Sequence, residues 1–297
     1  MKHPIYSDVG VLIGLSTLPC FAIGLAEDVT KKIGVKLRLA VTIITAVIGV
    51  QLIGIQISYI NIPGIDNLLS YSIVAIPFTA VAIAGLSNSY NLIDGFNGLS
   101  SMVGIITLVG LGFIGFKVND YVIISLCLIL CGSILGFFIW NYPRGLIFMG
   151  DGGAYFIGLW IGFITLALVY RNNVISPWLG VLINGYPIME TLYTIYRRVV
   201  IQGKNPGHAD GMHFHTLIFR RLQKHKLKSN KKITINTNAR TSHFFWVSTG
   251  LCVMASIFLY ESTELLIICI ILFSIIYVNI YSRVIKFKTP AWLYIFK

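Results

Sequence analysis

Residues 70–116 read SYSIVAIPFTAVAIAGLSNSYNLIDGFNGLSSMVGIITLVGLGFIGF. Two apolar stretches, 70–89 and 98–116, flank one polar run that holds Asn88, Asn91, Asp94, Gly95, Asn97 and Gly98. Each stretch has the about 20 mostly apolar residues that a helix needs to cross a bilayer. The rest of the chain follows the same pattern. It is 56% hydrophobic and 11% charged, with a mean hydropathy of +0.80. A soluble domain averages about 25% charged residues, so this much apolar surface needs lipid as its solvent. Nine spans are expected, at about 9–26, 38–60, 70–89, 98–116, 121–140, 153–170, 175–196, 243–260 and 263–283. Several contain Gly or Pro, which membrane helices tolerate. The expected fold is an all-α polytopic membrane helix bundle. It forms a single integral membrane domain over 1–297, with 197–242 as a basic cytoplasmic loop.

Orientation follows from Lys and Arg. With the 27–37 loop in the cytoplasm, the inner side collects twenty of the 23 bases, and the outer side only Lys2, Lys117 and Arg171. Nine spans then put the N-terminus outside and the C-terminus inside. The net charge of +12 therefore lies along one membrane face and suits lipid headgroups rather than nucleic acid. No cleavable signal peptide is evident, since the first apolar segment ends in Glu27, Asp28, Lys31 and Lys32 and not at a small-residue cleavage site. The five cysteines all lie in apolar segments without a CxxC pair. They suggest neither a disulfide framework nor a zinc site.

The same alternation puts every conspicuous polar motif on the inner side. Glu27 and Asp28 are adjacent carboxylates at a helix end. They suit a divalent cation or a shared proton, or are simply a solvated helix end. The Asn91–Asn97 run offers amide donors and a hard oxygen donor, with glycines that let backbone approach a phosphate or sugar; a plain turn is the alternative. Asp151, in Met149-Gly-Asp-Gly-Gly153, opens the sixth span. It can cap that helix or bind Mg²⁺ where free N–H groups favour phosphate. Glu190 lies within the seventh span near Arg197 and Arg198, and intramembrane acids are usually functional. The run Asn205-Pro-Gly-His208-Ala-Asp210-Gly-Met-His213-Phe-His215, with Arg220 and Arg221 behind it, can bind phosphate, uracil or metal. His213-x-His215 lacks a third ligand at zinc spacing. The basic run from Lys224 to Lys232 reads as membrane adhesion.

Taken in order over about residues 9–221, these motifs resemble the polyprenyl-phosphate N-acetylhexosaminyl-1-phosphate transferase superfamily. The shared elements are an acidic pair with bases behind it, an Asn-x-x-Asp-Gly-x-x-Gly-Leu loop, a Gly-Asp-x-Gly helix start, a Pro-x-x-acid span and a His-x-His loop. The resemblance implies that Asp28 binds or deprotonates the lipid phosphate. It implies that Asp94 is the first acid of the Asp-Gly loop, with Asn91 beside it, and that Asp151 is the Mg²⁺ ligand. His213 and His215 then engage the nucleotide-sugar. Glu27, Asn97, His208, Asp210, Arg220 and Arg221 join the expected substrate-binding set, and Asp94 the metal set. Glu27 and Asn97 stand where many members carry Asp, and Glu190 where Asp is common. The loop around His208 looks like the branch that makes O-antigen or other surface glycans. Members usually carry about two more spans before the acidic pair, ten or eleven in all, so either the start site is misplaced or this is a truncated copy.

The implied reaction moves a HexNAc-1-phosphate from a UDP-sugar to undecaprenyl phosphate at the cytoplasmic face of the bacterial inner membrane, with Mg²⁺ or Mn²⁺ as cofactor. A homodimer is an open expectation. CDP-alcohol phosphotransferases are disfavoured, because Asp94-Gly95 is followed by Phe, Asn, Gly and Leu rather than by their Ala-Arg and further acids. A transporter, with acids near the midplane and broken helices, and an inactive truncated member are the remaining alternatives.

Overall fold

The computed structural model describes residues 9–207, 210–228 and 236–288. These form helices α1 (Val9–Thr30), α2 (Val35–Ile53), α3 (Ile65–Leu69), α4 (Ser72–Ile93), α5 (Leu99–Lys117), α6 (Tyr121–Asn141) and α7 (Gly150–Arg171). They continue as α8 (Leu179–Ile183), α9 (Gly185–Tyr196), a π-helical turn at Arg197–Ile201, α10 (Phe214–Lys228), α11 (Asn236–Leu259) and α12 (Thr263–Ile285). Eight helices among the described residues are long and apolar enough to cross a membrane: α1, α2, α4 to α7, α11 and α12.

The helices alternate between two ends. At one end Trp178 donates its indole N–H to the Ile60 carbonyl at 2.8 Å, and the Ser176 N–H reaches the Tyr260 carbonyl at 2.8 Å. Arg171 meets Asp120 there at 2.6 Å, and Asp120 also caps α6 through the Ile123 N–H. These are the loops expected outside. The loops after α1, α4, α6 and α9 meet at the other end, the expected inner face. Helix α7 is the most enclosed of the eight and α12 the least, so the bundle is arranged around α7.

The expected seventh span, 175–196, is not one helix. Pro187 lacks the N–H of a regular turn and its ring clashes with the carbonyl four residues back, at Ile183. The helix accordingly breaks at Asn184, between α8 and α9. Asn184 is fully buried. It donates to the Gly180 carbonyl at 3.1 Å and accepts from the Tyr90 hydroxyl at 3.3 Å, so polar groups freed inside the bundle find partners. The broken element still runs from the outer loops to the inner ones. The second expected span is shorter than 38–60: α2 ends where Gly54 turns left-handed at φ 72°. The expected loop 197–242 is partly helical, with α10 within it and α11 starting at Asn236.

Candidate active site

Asp28 lies in the last turn of α1, and its two carboxylate oxygens accept the N–H groups of Asp151 and Gly152, both at 3.0 Å. The cap of α7, one of the two roles open to Asp151 in the sequence, therefore comes from a different span. Glycines make this approach possible. Gly24 and Gly152 let α1 and α7 touch: a Cβ on Gly24 would sit 2.5 Å from the Gly152 Cα. Gly150 has φ +68°, and a Cβ there would lie 2.5 Å from an Asp28 oxygen. Only glycine suits both the left-handed turn and the approach of the carboxylate.

Asp151 is held from two further directions. Asn91, in the last turn of α4, donates to its Oδ1 at 2.9 Å. Arg38, on the second turn of α2, forms an ion pair with its Oδ2. Lys31 lies 3.6 Å from Asp28 but is largely exposed, a pairing worth little in water. Asp94 follows the last residue of α4 and is half-buried. No hydrogen bond or ion pair to its carboxyl is found among the described residues. Burial, reinforced by the charge of Asp28, pushes its pKa up to about 7.

The histidine loop closes on the same end. The ring of His215 lies against the Asp94-Gly95 turn, where its Nε2 would be 3.7 Å from a Cβ on Gly95. The same ring packs edge-on against Phe96 and stacks on His213 at 5.3 Å. Burial drives the His215 pKa down to about 4, against the opposing charge of Glu190, so this imidazole is neutral at physiological pH. Glu190, 1% exposed, anchors the loop from α9. It accepts the Phe214 N–H at 3.0 Å and the Tyr277 hydroxyl at 2.7 Å, and lies 3.3 Å from His213. Asp210 pairs with Arg197 and accepts the Met212 N–H at 3.0 Å. Burial, the largest single influence, would raise its pKa, but Arg197, the Met212 N–H and the charge of His213 together lower it below the usual carboxylate range. Arg220 approaches the same loop at Gly211.

Three expected site residues are placed differently, and a fourth lies outside the described residues. Glu27 accepts the Ile33 N–H at 2.7 Å and closes the turn between α1 and α2. Asn97 is buried and donates to the Pro143 carbonyl at 3.0 Å, while its backbone N–H is held by Asn238 at 2.7 Å. It ties the Asp-Gly turn to the 142–145 turn and to α11. Arg221 donates to the Val284 and Ile285 carbonyls, at the end of α12. His208 lies outside the described residues. Sequence reasoning missed two contributors. Arg38 has no motif of its own in the sequence; its place inside α2, beyond the 31–34 loop, sets it apart from Lys31 and Lys32. Tyr277 carries no local signal, because its partner Glu190 is 87 residues away.

No group of three His, Cys, Asp or Glu side chains among the described residues is gathered tightly enough to enclose a metal ion. Mg²⁺ keeps several waters and is commonly held by one or two carboxylates plus substrate phosphates. Asp151 and Asp94 offer hard oxygen donors of this kind.

Fold and site define a polytopic membrane protein whose carboxylates and histidine loop share one end of the bundle. The chain belongs to glycosyl transferase family 4, whose model matches residues 11–169 and so includes Asp28, Asp94 and Asp151. It is 32% identical over 164 residues to a probable undecaprenyl-phosphate N-acetylglucosaminyl 1-phosphate transferase of Bacillus subtilis, covering 54% of this chain and 45% of that protein. It is 31% identical over 200 residues to a phospho-N-acetylmuramoyl-pentapeptide-transferase of Clostridium botulinum, covering 64% and 59%. An undecaprenyl-phosphate alpha-N-acetylglucosaminyl 1-phosphate transferase of Thermotoga maritima is 26% identical over 212 residues, covering 71% and 62%. The chain thus matches between 45% and 62% of the length of these relatives.

Proposed function

We propose that this chain transfers a HexNAc-1-phosphate, with GlcNAc as the sugar, from a UDP-sugar to undecaprenyl phosphate. The reaction releases UMP at the cytoplasmic face of the bacterial inner membrane and starts a cell-surface glycan such as O-antigen. One observation carries the reading: three acids from three spans meet at the end of the bundle where His215 abuts the Asp94-Gly95 turn. The names of the family relatives supply the chemistry that this geometry can serve.

A lipid phosphate oxygen attacks the sugar-linked phosphorus, and the bond from that phosphorus to the UMP oxygen breaks. Both reactants are anions, so neutralising their charge dominates the barrier. Bound Mg²⁺ or Mn²⁺ would supply that neutralisation on the diphosphate and on the departing UMP. Asp151 and Asp94 would hold it. Asp28 keeps the first turn of α7, and so Asp151, in place. Its oxygens are already engaged by backbone N–H groups, which leaves Asp94 as the carboxyl best able to meet the lipid phosphate. His213, His215 and Arg220 face the nucleotide-sugar, with Asp210 and Glu190 fixing the loop that carries them. An apolar cavity of about 540 Å³ between α4, α7 and α8, lined by Phe78, Leu86, Leu166 and Trp178 among others, gives the acceptor's isoprenoid chain a wall toward the outer end.

The transporter alternative has a broken helix in its favour, but Glu190 is pinned by three partners rather than poised to exchange an ion. Membrane vesicles supplied with UDP-GlcNAc and undecaprenyl phosphate separate the readings. Lipid-linked GlcNAc identifies the transferase. Uptake without product identifies a transporter, and neither identifies an inactive scaffold. Asp151→Asn is expected to abolish exchange of labelled UMP into UDP-GlcNAc, whereas Asp28→Asn leaves a measurable rate. Equal, mild losses in both would overturn these roles.

A further inference from the structure

The Asp151 carboxylate already has a cation. Arg38 reaches it from α2 and pairs with Oδ2, while Asn91 holds Oδ1. The Arg38 side chain is only 14% exposed, and its Nε has no hydrogen-bond partner. The guanidinium is thus committed through one end and carries a buried donor free for a second acceptor. Asp94, close enough to Asp28 to feel its charge, has no such counter-ion among the described residues. The acidic end of α7 is therefore neutralised by a long side chain rooted on a neighbouring helix, and that side chain rests on the oxygen that a divalent cation would take.

We propose that Arg38 is the resident cation of the site, a positioning residue that holds Asp151 until a divalent cation displaces it. The inference rests on the Asp151 assignment above. Two cations cannot share one carboxylate oxygen at contact distance without strong repulsion, so binding the metal requires the Arg38–Asp151 pair to open. The released guanidinium, on a flexible three-carbon stem, then presents a planar fork that suits a phosphate. An exchange of this kind makes metal binding weak in the free protein and stronger when a diphosphate is present to receive Arg38. Divalent cation and nucleotide then bind cooperatively through one residue, with the coupling reciprocal.

Mn²⁺ binding to the purified full chain in nanodiscs, read by the free-ion EPR signal with and without UDP, tests this apart from turnover. Arg38→Ala is expected to bind Mn²⁺ at least about tenfold more tightly than the wild type when UDP is absent, because no internal cation has to leave. UDP should tighten Mn²⁺ binding in the wild type and do so much less in Arg38→Ala. Arg38→Lys, which keeps the charge, should stay near the wild-type affinity and guards against a folding defect in the alanine variant. Equal or weaker Mn²⁺ binding in Arg38→Ala, with Asp151→Asn still abolishing it, overturns the role of Arg38 and leaves the metal assignment standing. Wild-type binding that survives Asp151→Asn overturns the metal assignment and this inference with it.

Discussion

Asp94 is the residue at which stability and chemistry pull apart. Its pKa is raised from the ordinary carboxylate range to about 7, first by burial and then by Asp28. A group that binds its proton more tightly when folded favours the folded state at low pH, and that contribution is lost as pH rises from about 4 to about 7. At pH 8 the native protein therefore holds an ionised, half-buried carboxylate at a cost. Asp94→Asn is expected to raise the melting temperature at pH 8 in metal-free buffer. The gain should shrink as pH falls toward 4, and transfer should be lost throughout. Melting curves at pH 5 and pH 8 check this, and a gain that grows on acidification would contradict the assigned shift. Gly150 makes the opposite case. Gly150→Ala would press a Cβ onto Asp28 in a left-handed turn, at a cost of roughly 1–2 kcal/mol from the backbone alone. Both melting temperature and UMP exchange should fall.

At the scale of elements, α9 joins the broken crossing to the histidine loop, and Glu190 is the joint. Glu190→Ala leaves the Phe214 N–H and the Tyr277 hydroxyl buried without their acceptor, at about 1–3 kcal/mol for each orphaned group. It should lower the melting temperature and raise KM for the UDP-sugar by freeing His213. Glu190→Gln keeps an oxygen for one donor and removes the charge facing His213, so KM should rise with a smaller loss of stability. Unchanged KM in both variants would mean that His213 does not depend on Glu190. The elements themselves were legible wherever one local property decides them. Apolar length fixed α1, α4 to α7 and α12 to within a few residues, while α11 starts at Asn236, inside the stretch that reads as loop, and the polar runs marked the helix ends that form the site. What escaped depends on distant partners. Asn97 reads as a site residue until Pro143 and Asn238 are seen to hold it. The cap of α7 reads as Asp151 until Asp28 arrives from α1. The break at Asn184 was readable in part, since Pro187 stood inside an apolar run long enough to pass for one helix.

For the whole molecule, the question is whether the element from Leu179 to Ile201 crosses the membrane or dips in and returns. Its length allows a crossing: 179–201 at about 1.5 Å per residue gives roughly 34 Å, against about 30 Å of hydrocarbon. Its partners require one. Residues just before it bond to the loop after α11, through Ser176 and Tyr260, while the loop after it packs on the Asp94-Gly95 turn at the opposite end. A returning hairpin would reverse α11 and α12 and put the Arg283–Lys288 end outside, against the preference of Lys and Arg for the cytoplasm. Single cysteines at exposed Asn173, Glu261, Lys31 and Lys204 distinguish the two with a membrane-impermeant maleimide. The five native cysteines lie within spanning helices, where such a reagent does not reach. Asn173→Cys and Glu261→Cys should label in intact cells, and Lys31→Cys and Lys204→Cys only after permeabilisation. Labelling of Lys204→Cys from outside would separate the histidine loop from Asp94 by the width of the bilayer, and no shared site for two phosphorylated reactants could then exist.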